Sequence, residues 1–475
     1  MGYYDLFAQA LLAGQLHLLY TPEQVNLVDM IPYQDVWHFN WGPFPVLFHL
    51  VARQFGATLS DRVACLAAGT VSAWFFLSIC AELRHRYFPV SPKLLVLWFA
   101  LAFALGTPAL LTACRGTVYS ESIGFGVAAI LFSLWSFLGV VRKPSPAQIA
   151  LCGLGVGLAI LTRITLSVYA FALFIGIGAA VWNMRHETKA TVFALIVFSA
   201  PVLTGGFAQA AFNQARFGSP FDFGNRYKPE HTPGYPLLSL PRVPETVRHY
   251  FLALPQVSSD FPYLDHVGWP PVDKVRRAEA ASSLILASPF LLFAAFAAPL
   301  FRGKNGTDPE LRLYAWVLLG GGLLSLLAML TFGAVSRRYA QDFLPPFVLL
   351  AFLGSALKIG GADSWRRWAM AAWPVLIVST LLHMQIVFYQ SFHTPTPDLN
   401  VIKTFVALAP LAQSVAPGPR LNEEASVAAN DLGTVLLNQR RFGEALPYFE
   451  KAAEWNPGSD RIKRNLSTAR RLAGQ

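Results

Sequence analysis

The chain of 475 residues is short of charge: only 13% of it is Asp, Glu, Lys or Arg, against 54% apolar residues and a mean hydropathy of +0.43. Soluble domains carry roughly 25% charged residues, so this shortage excludes a water-solvated fold for most of the chain. Cysteine is also scarce. Cys65, Cys80, Cys114 and Cys152 lie scattered through or beside apolar runs, without a Cys-x-x-Cys or Cys/His spacing that would hold zinc. They read as small apolar residues. No Ser-His-Asp or His-Glu-x-x-His pattern occurs, and no signal-peptide pattern opens the chain. Gly153, Gly155 and Gly157 are not a nucleotide loop, because no strand precedes them and no Walker lysine follows; in an apolar helix they form a packing face.

What is abundant is long apolar sequence. Runs near or above about 18 residues read as membrane-spanning helices, and they fall at 62–83, 93–113, 119–140, 191–212, 281–300, 313–334, 341–358 and 368–390. Two shorter runs, 147–162 and 164–183, flank Arg163 and read as a further pair. The expectation is an all-α polytopic membrane bundle of about ten spans. Cations set its orientation. Alternate connections carry Arg84, Arg86 and Lys93; Arg142 and Lys143; Arg185 and Lys189; Arg302, Lys304 and Arg312; then Lys358, Arg366 and Arg367. That set is taken as cytoplasmic, since the opposite short connections offer only Arg115, Arg163, Arg337 and Arg338. These anchors account for the formal charge of +10 without nucleic acid. Residues 1–61, the 213–280 loop and everything after about 391 then lie outside. With no span before residue 62, a further helix upstream of Met1 is expected, unless the short N-terminus crosses unaided.

The outer segments are unusual in composition. The 213–280 loop carries aromatics, paired arginines and Pro229, Pro233, Pro236, Phe261, Tyr263, Trp269 and Pro271, which suit a folded cap holding an anionic, partly apolar ligand as well as they suit a structural cover. Residues 3–20 read as an outer-face amphipathic helix with Leu6, Ala10, Ala13 and Leu16 in step. Trp37 to Pro45 reads as an aromatic belt, and Phe44 to Phe55 as a helix too short to span. His38 and His49 read as interfacial polar tips rather than metal ligands.

Several of these pieces carry a resemblance. Tyr3-Tyr-Asp-Leu-Phe-Ala-Gln-Ala-Leu-Leu-Ala-Gly-Gln, followed by Asn40-Trp-Gly-Pro-Phe-Pro45, resembles the first outer loop of GT-C-fold integral-membrane glycosyltransferases. Val118-Tyr-Ser-Glu-Ser122, Gly153 to Gly157 with Leu161-Thr-Arg163, Arg216-Phe-Gly-Ser-Pro220 with Phe223-Gly-Asn-Arg-Tyr227, and Arg338-Tyr-Ala-Gln-Asp-Phe-Leu-Pro345 are similar to pieces of bacterial members of that superfamily. Their order and shared outer placement carry the likeness over nearly all of 1–390. It implies a GT-C-like bundle, a polyprenyl-phosphate-linked sugar donor, an acceptor not specified, and an aspartate base in the first outer loop. Only Asp5 matches that position, with Asp29 and Asp35 nearby.

The residue chemistry can be read beside the resemblance. Asp5, Glu121, Arg163, Arg216, Arg226, Arg338 and Asp342 all map to the outer boundary, where ionisable groups facing a cavity are functional candidates. Transfer of a sugar from a lipid phosphate needs an anion clamp, which the planar fork of Arg suits, and a carboxylate to take the acceptor's proton. Asp5 and Glu121 are the catalytic candidates; Arg163, Arg216, Arg226, Tyr227, Arg338, Tyr339 and Asp342 are the donor-binding ones. Each has a plainer alternative. Asp5 suits a helix N-terminus, Glu121 could pair with Arg115, and Arg337 and Arg338 could anchor in headgroups. The cofactor is left open. A divalent cation is the one candidate, with Asp5, Glu121 and Asp342 as its nominated ligands.

After Ser391 the character changes. Residues 391–424 read as a proline-marked linker with one apolar helical piece, Val401 to Ala412. Leu432, Gly433, Ala445, Phe449, Ala452 and Pro457 stand at the offsets of one tetratricopeptide repeat, and 459–473 as a basic capping helix. One repeat buries no continuous core, so it must pack on the cap, the linker helix or a protein partner. Two other functions remain in view: a transporter or flippase of a lipid-linked saccharide, disfavoured because the charges lie at the boundary rather than mid-membrane, and a non-catalytic scaffold.

Overall fold

The computed structural model describes residues 2–21, 30–227, 238–257, 264–265, 283–302, 308–332, 335–392, 399–415, 419–438 and 440–474. It is all-α apart from two short antiparallel hairpins. The chain divides into two compact units. The first comprises residues 1–253 and 268–383, the second 254–267 and 384–475.

The first unit is built from α1 (Tyr3–Leu12), α2 (Val46–Gln54), α3 (Asp61–Tyr87), α4 (Lys93–Leu105), α5 (Ala109–Cys114), α6 (Val118–Arg142), α7 (Pro146–Ile160), α8 (Val168–Arg185) and α9 (Thr188–Phe217). It continues with α10 (Val243–Val247), α11 (Leu284–Ala287), α12 (Ala298–Phe301), α13 (Pro309–Thr331), α14 (Leu344–Lys358) and α15 (Ala362–Phe392), the last running on into the second unit. Local chemistry starts several of them. Ser60, Thr117 and Ser145 accept from backbone N–H groups at the heads of α3, α6 and α7, and Asp308 does so for α13 ahead of Pro309. Gly218, at φ 71°, ends α9.

Six helical stretches among the described residues are long and apolar enough to cross a membrane: Asp61–Tyr87, Val118–Arg142, Ile164–Arg185, Thr188–Phe217, Pro309–Thr331 and Ala362–Val387. The chain is a multi-pass helical protein. Four of the ten expected spans are instead helices of 10–17 residues: Lys93–Leu105, Pro146–Ile160, Pro289–Phe301 and Leu344–Lys358. At 1.5 Å per residue such lengths fall short of a hydrocarbon core of about 30 Å. The break after α4 shows why an apolar run need not be one helix. At Gly106-Thr107-Pro108 the chain turns, and its polar groups are met by distant side chains: the Ser288 hydroxyl donates to the Gly106 carbonyl (2.6 Å) and Gln341 to Thr107 Oγ1 (3.2 Å).

Helix α6 is the centre of this unit. Its membrane-length window is 83% buried, whereas that of α9 is only 17% buried. Helix α9 turns Phe193, Ile196, Leu203 and Phe207 outward, a surface that water does not solvate and lipid does. Small residues bring α7 against its neighbours: a Cβ on Gly157 would stand 2.5 Å from the Pro201 carbonyl oxygen of α9, and one on Gly155 2.7 Å from that of Ala129 in α6.

The N-terminal segment departs from its expected form. The helix ends at Leu12, with Gly14 at φ 74°, and it is not a surface helix: Tyr3, Tyr4, Asp5, Leu6, Phe7, Ala8 and Ala10 are all buried. Phe39, Trp41 and Phe212 cover the face that periodicity assigned to the outside. Strands β1 (Ile31–Tyr33) and β2 (Val36–His38) pair through a turn with Gln34 and Asp35 at positive φ.

In the second unit, α16 (Leu399–Val415), α17 (Pro419–Asn438), α18 (Phe442–Trp455) and α19 (Asp460–Leu472) share one core. Phe405, Val406 and Ala409 of α16 are buried in it. The stretch expected as a linker is therefore part of the core, because the hairpin α17–α18 alone leaves an apolar face uncovered. A Cβ on Gly433 would stand 2.9 Å from the Phe449 ring, so the two helices of the hairpin meet there. The strands Gln256–Val257 and Leu264–Asp265, from the 213–280 loop, also belong to this unit. Pro229, Pro233, Pro236, Phe261, Tyr263, Trp269 and Pro271 lie outside the described residues, as do Asp29 and Lys304.

Candidate active site

The ends of the first unit differ in chemistry. At the end that carries the basic connections, Tyr87 donates to Glu310 Oε2 (3.0 Å), tying the end of α3 to the start of α13. Asp5, Glu121, Arg163, Arg338 and Asp342 lie at the other end, where α6 begins and α7 ends; the Ser122 hydroxyl of α6 donates there to the Thr162 carbonyl (3.2 Å).

Asp5 is buried in α1, and Arg53 of α2 grips it with two bonds: Nε to Oδ1 at 2.9 Å and Nη2 to Oδ2 at 2.7 Å. This fork-on-carboxylate pairing is the strong geometry for Arg. Glu121, in the first turn of α6, has Oε1 2.8 Å from His49 Nε2, and both side chains are fully buried. Glu121 Oε2 and His49 Nδ1 have no hydrogen-bond partner among the described residues. Burial holds the His49 imidazole below its usual range, with Asp61 and Asp5 acting against that shift. The two histidines expected as interfacial tips are thus interior groups. His38 is pushed down to about 4, first by burial and then by Arg216 and His17.

Asp342 and Arg163 come together. The Arg163 guanidinium donates to Asp342 Oδ2 from Nη2 (3.0 Å) and Nε (3.3 Å), and Thr165 donates to the same oxygen (3.0 Å). The Asp342 carbonyl accepts from Tyr169 (2.7 Å) and Ser325 (2.9 Å). Together these hold the tight turn 337–342 against α8 and α13. That turn sets Arg338 4.3 Å over the Tyr119 ring and 5.8 Å from the Tyr339 ring, with Arg163 4.9 Å from Tyr339 on its own side. Trp41 meets Tyr119 edge-on at 5.1 Å, linking this group back to the N-terminal segment.

Arg216, Arg226 and Tyr227 stand apart from that group. Arg216 donates to the Phe39 carbonyl and to Asn213 (3.0 Å) and lies 3.7 Å over the Phe212 ring, so it fastens α9 to the N-terminal segment. Arg226 is exposed and pairs with Asp222 at 2.7 Å beside Tyr227. Asp35 is exposed at a hairpin tip. Arg53, Thr165 and Tyr119 were not singled out by sequence; the one available signal was that His49 and Arg53 stand one helical turn apart. Among the described residues no group of three His, Cys, Asp or Glu is placed to hold a metal ion; Asp5, Glu121 and Asp342 meet Arg53, His49 and Arg163 instead.

Neither a protein-family profile nor a curated protein matches the chain. Solved structures do align with it. Crystal structures of ArnT from Cupriavidus metallidurans, one bound to undecaprenyl phosphate and one in the apo state, cover 100% and 99% of this chain and 72% and 71% of their own. Their identities are 13% and 14% and their TM-scores 0.44 and 0.41. The archaeal oligosaccharyltransferase AglB from Archaeoglobus fulgidus, in complex with an inhibitory peptide and a dolichol-phosphate, covers 86% of this chain and 53% of its own, at 12% identity and a TM-score of 0.42. At that distance no activity transfers to this chain.

Proposed function

We propose that this chain is a glycosyltransferase that moves a sugar from a polyprenyl-phosphate-linked donor to an acceptor at the outer face of a bacterial inner membrane. The observation that supports it is the gathering of Asp5, Glu121 and the ring-backed Arg338 at one end of a lipid-solvated bundle. In the reaction the acceptor's hydroxyl oxygen bonds to the anomeric carbon as the bond from that carbon to the phosphate oxygen breaks. The bonding pair leaves with the lipid phosphate, and the acceptor's proton passes to a carboxylate, Asp5 first and Glu121 second. Attack opposite the leaving phosphate inverts the configuration. Arg338 holds the departing phosphate, with Arg163 and Tyr339 behind it and Asp342 fixing the turn. Arg216, Arg226 and Tyr227, apart from that group, complete the donor-binding set in this reading. The partners in this reading are the bilayer, the lipid-linked donor and the acceptor, with the C-terminal repeat-like hairpin available to a protein partner.

The test is consumption of labelled polyprenyl-phosphate sugars by membranes carrying the wild type, Asp5→Asn or Arg338→Ala at matched levels. Loss of turnover in both variants is the expected result. Turnover that survives Asp5→Asn would move the base to Glu121. Passage of intact donor across the bilayer without transfer would make the chain a flippase, and neither reaction would leave the scaffold reading.

A further inference from the structure

Helix α2 is inverted relative to a water-facing helix. It carries His49 and Arg53 on one face and exposed apolar residues on the other: Leu47 is 52% exposed, Val51 57% and, just past the helix end, Phe55 84%, while His49 is fully buried. At 100° per residue, Leu47, Val51 and Phe55 fall on the face opposite His49 and Arg53. Val63 and Leu66, at the start of the membrane-length helix α3, are exposed as well, and hydrocarbon is the solvent that suits such apolar surface. On the inward face, His49 and Arg53 stand one turn apart, and each meets a different acid. His49 lies 2.8 Å from Glu121, and Arg53 grips Asp5 from 2.7 and 2.9 Å. The acids themselves come from separate helices, 116 residues apart in sequence (121 − 5).

We infer that α2 is a lipid-seated positioning element whose His49 and Arg53 jointly set the placement of the two acids, Glu121 and Asp5. This deepens the glycosyltransferase reading and rests on it. Helix α2 also packs through apolar contacts: Val46 is buried, Leu50 packs on the N-terminal core and Phe48 stacks on Phe125 at 4.7 Å. Those contacts seat the helix, and the two polar contacts tie its inward face to the acids. Neither His49 nor Arg53 needs to touch substrate: their work is to keep two carboxylates from turning away in a site that has excluded water. Glu121 keeps its second oxygen buried and unpartnered among the described residues.

The experiment compares His49→Leu with His49→Gln in the full-length protein in membranes, reading kcat and donor KM separately. A misplacement of about 1 Å costs roughly 100-fold in rate, so His49→Leu should lower kcat by about that factor with donor KM within about twofold. His49→Gln, whose amide can still donate to Glu121, should recover at least about tenfold of the loss. An unchanged kcat in His49→Leu, or His49→Gln no better than His49→Leu, overturns the inference. A second readout needs no turnover: the imidazole ¹⁵N shifts of His49 in wild type and in Glu121→Gln. They should differ; identical shifts overturn the contact even if the chain proves to transfer no sugar, so the two readings fail separately.

Discussion

The Arg163–Asp342 pair allows the sharpest test of how this end of the bundle is held. Its side chains are 12% and 0% exposed, so removing one partner leaves the other charge or its hydrogen-bonding oxygens in a poorly solvated place. Breaking a buried pair of this kind costs about 3–5 kcal/mol, whereas replacing both partners by apolar residues of similar volume is often neutral. Asp342→Leu and Arg163→Met should each therefore destabilise by about 3–5 kcal/mol, a factor of roughly a hundred to several thousand in the unfolding constant. The double variant Arg163→Met with Asp342→Leu should cost no more than about 1–2 kcal/mol. It survives because the Asp342 carbonyl keeps its bonds from Tyr169 and Ser325, neither of which depends on the side chain at 342. Each of those bonds contributes on the order of 1 kcal/mol. Unfolding titrations in mixed micelles give all four corners of the cycle. Additive losses in the double variant, or single losses below about 1 kcal/mol, would refute a buried lock and mark the pair as a surface-like contact. If the lock holds and the double variant still folds, turnover by that variant separates Arg163 as scaffold from Arg163 as donor contact.

Two further outcomes follow from packing and from titration. Gly157→Ala places a methyl 2.5 Å from the Pro201 carbonyl, where backbone must give way, so it should destabilise the bundle by about 1–3 kcal/mol in the same titration; a neutral or stabilising result would remove the close α7–α9 approach. His38, outside the membrane-length helices, is lowered to about 4 by burial, Arg216 and His17, so as pH falls from about 6.5 towards 4 the unfolded chain takes a proton that native His38 refuses. Stability should drop through that window by up to about 1.4 kcal/mol per pH unit from this group and not change above it, and His38→Gln should flatten the slope measured by unfolding at stepped pH.

Much of the bundle was legible in the sequence because hydropathy reports what lipid requires. The apolar runs of α3, α6, α9, α13 and α15 predict helices at the right places. What hydropathy cannot report is where a run is cut and what repairs the cut. Gly106, Thr107 and Pro108 look like a tolerable blemish in an apolar stretch; the bonds from Ser288 and Gln341, about 180 and 230 residues away, make the break affordable in an interior without water. Residues 3–12 mislead for a related reason. Their periodicity is real, but Tyr3 to Ala8 are all buried among Phe39, Trp41 and Phe212, and the pattern alone marks only one buried face. Glu121 and Asp342 stood out because an acid at the edge of an apolar run demands a partner, yet the partners themselves were hidden. Arg53 meets Asp5 from 48 residues away, and Asp342 meets Arg163 across 179. Long-range pairing is a property of the fold, and a single sequence without its relatives holds no trace of it.

The setting of Glu121 shows how a carboxylate can be kept exact in position without a rigid loop. It sits in the first turn of the most enclosed of the membrane-length helices, and the turns that follow are lined with small residues. A Cβ on Gly124 would reach within 3.0 Å of the Ala68 methyl, and one on Gly126 within 2.7 Å of Leu166, so α3 and the 164–167 turn close directly on the α6 backbone. The Ser72 hydroxyl donates both to Ala68 and, at 3.4 Å, to the Gly124 carbonyl, and Ser122 ties the opposite side to Thr162. The α6 backbone at Gly124 and Gly126 thus meets the Ala68 methyl and the Leu166 side chain directly, with no larger α6 side chain between them. The same closeness makes the helix intolerant of growth. Gly126→Leu should therefore disturb the Glu121–His49 contact from a helical turn away, displacing the His49 ¹⁵N signals as Glu121→Gln does, whereas Trp135→Ala, a large change in volume on the exposed side of α6, should leave those signals in place.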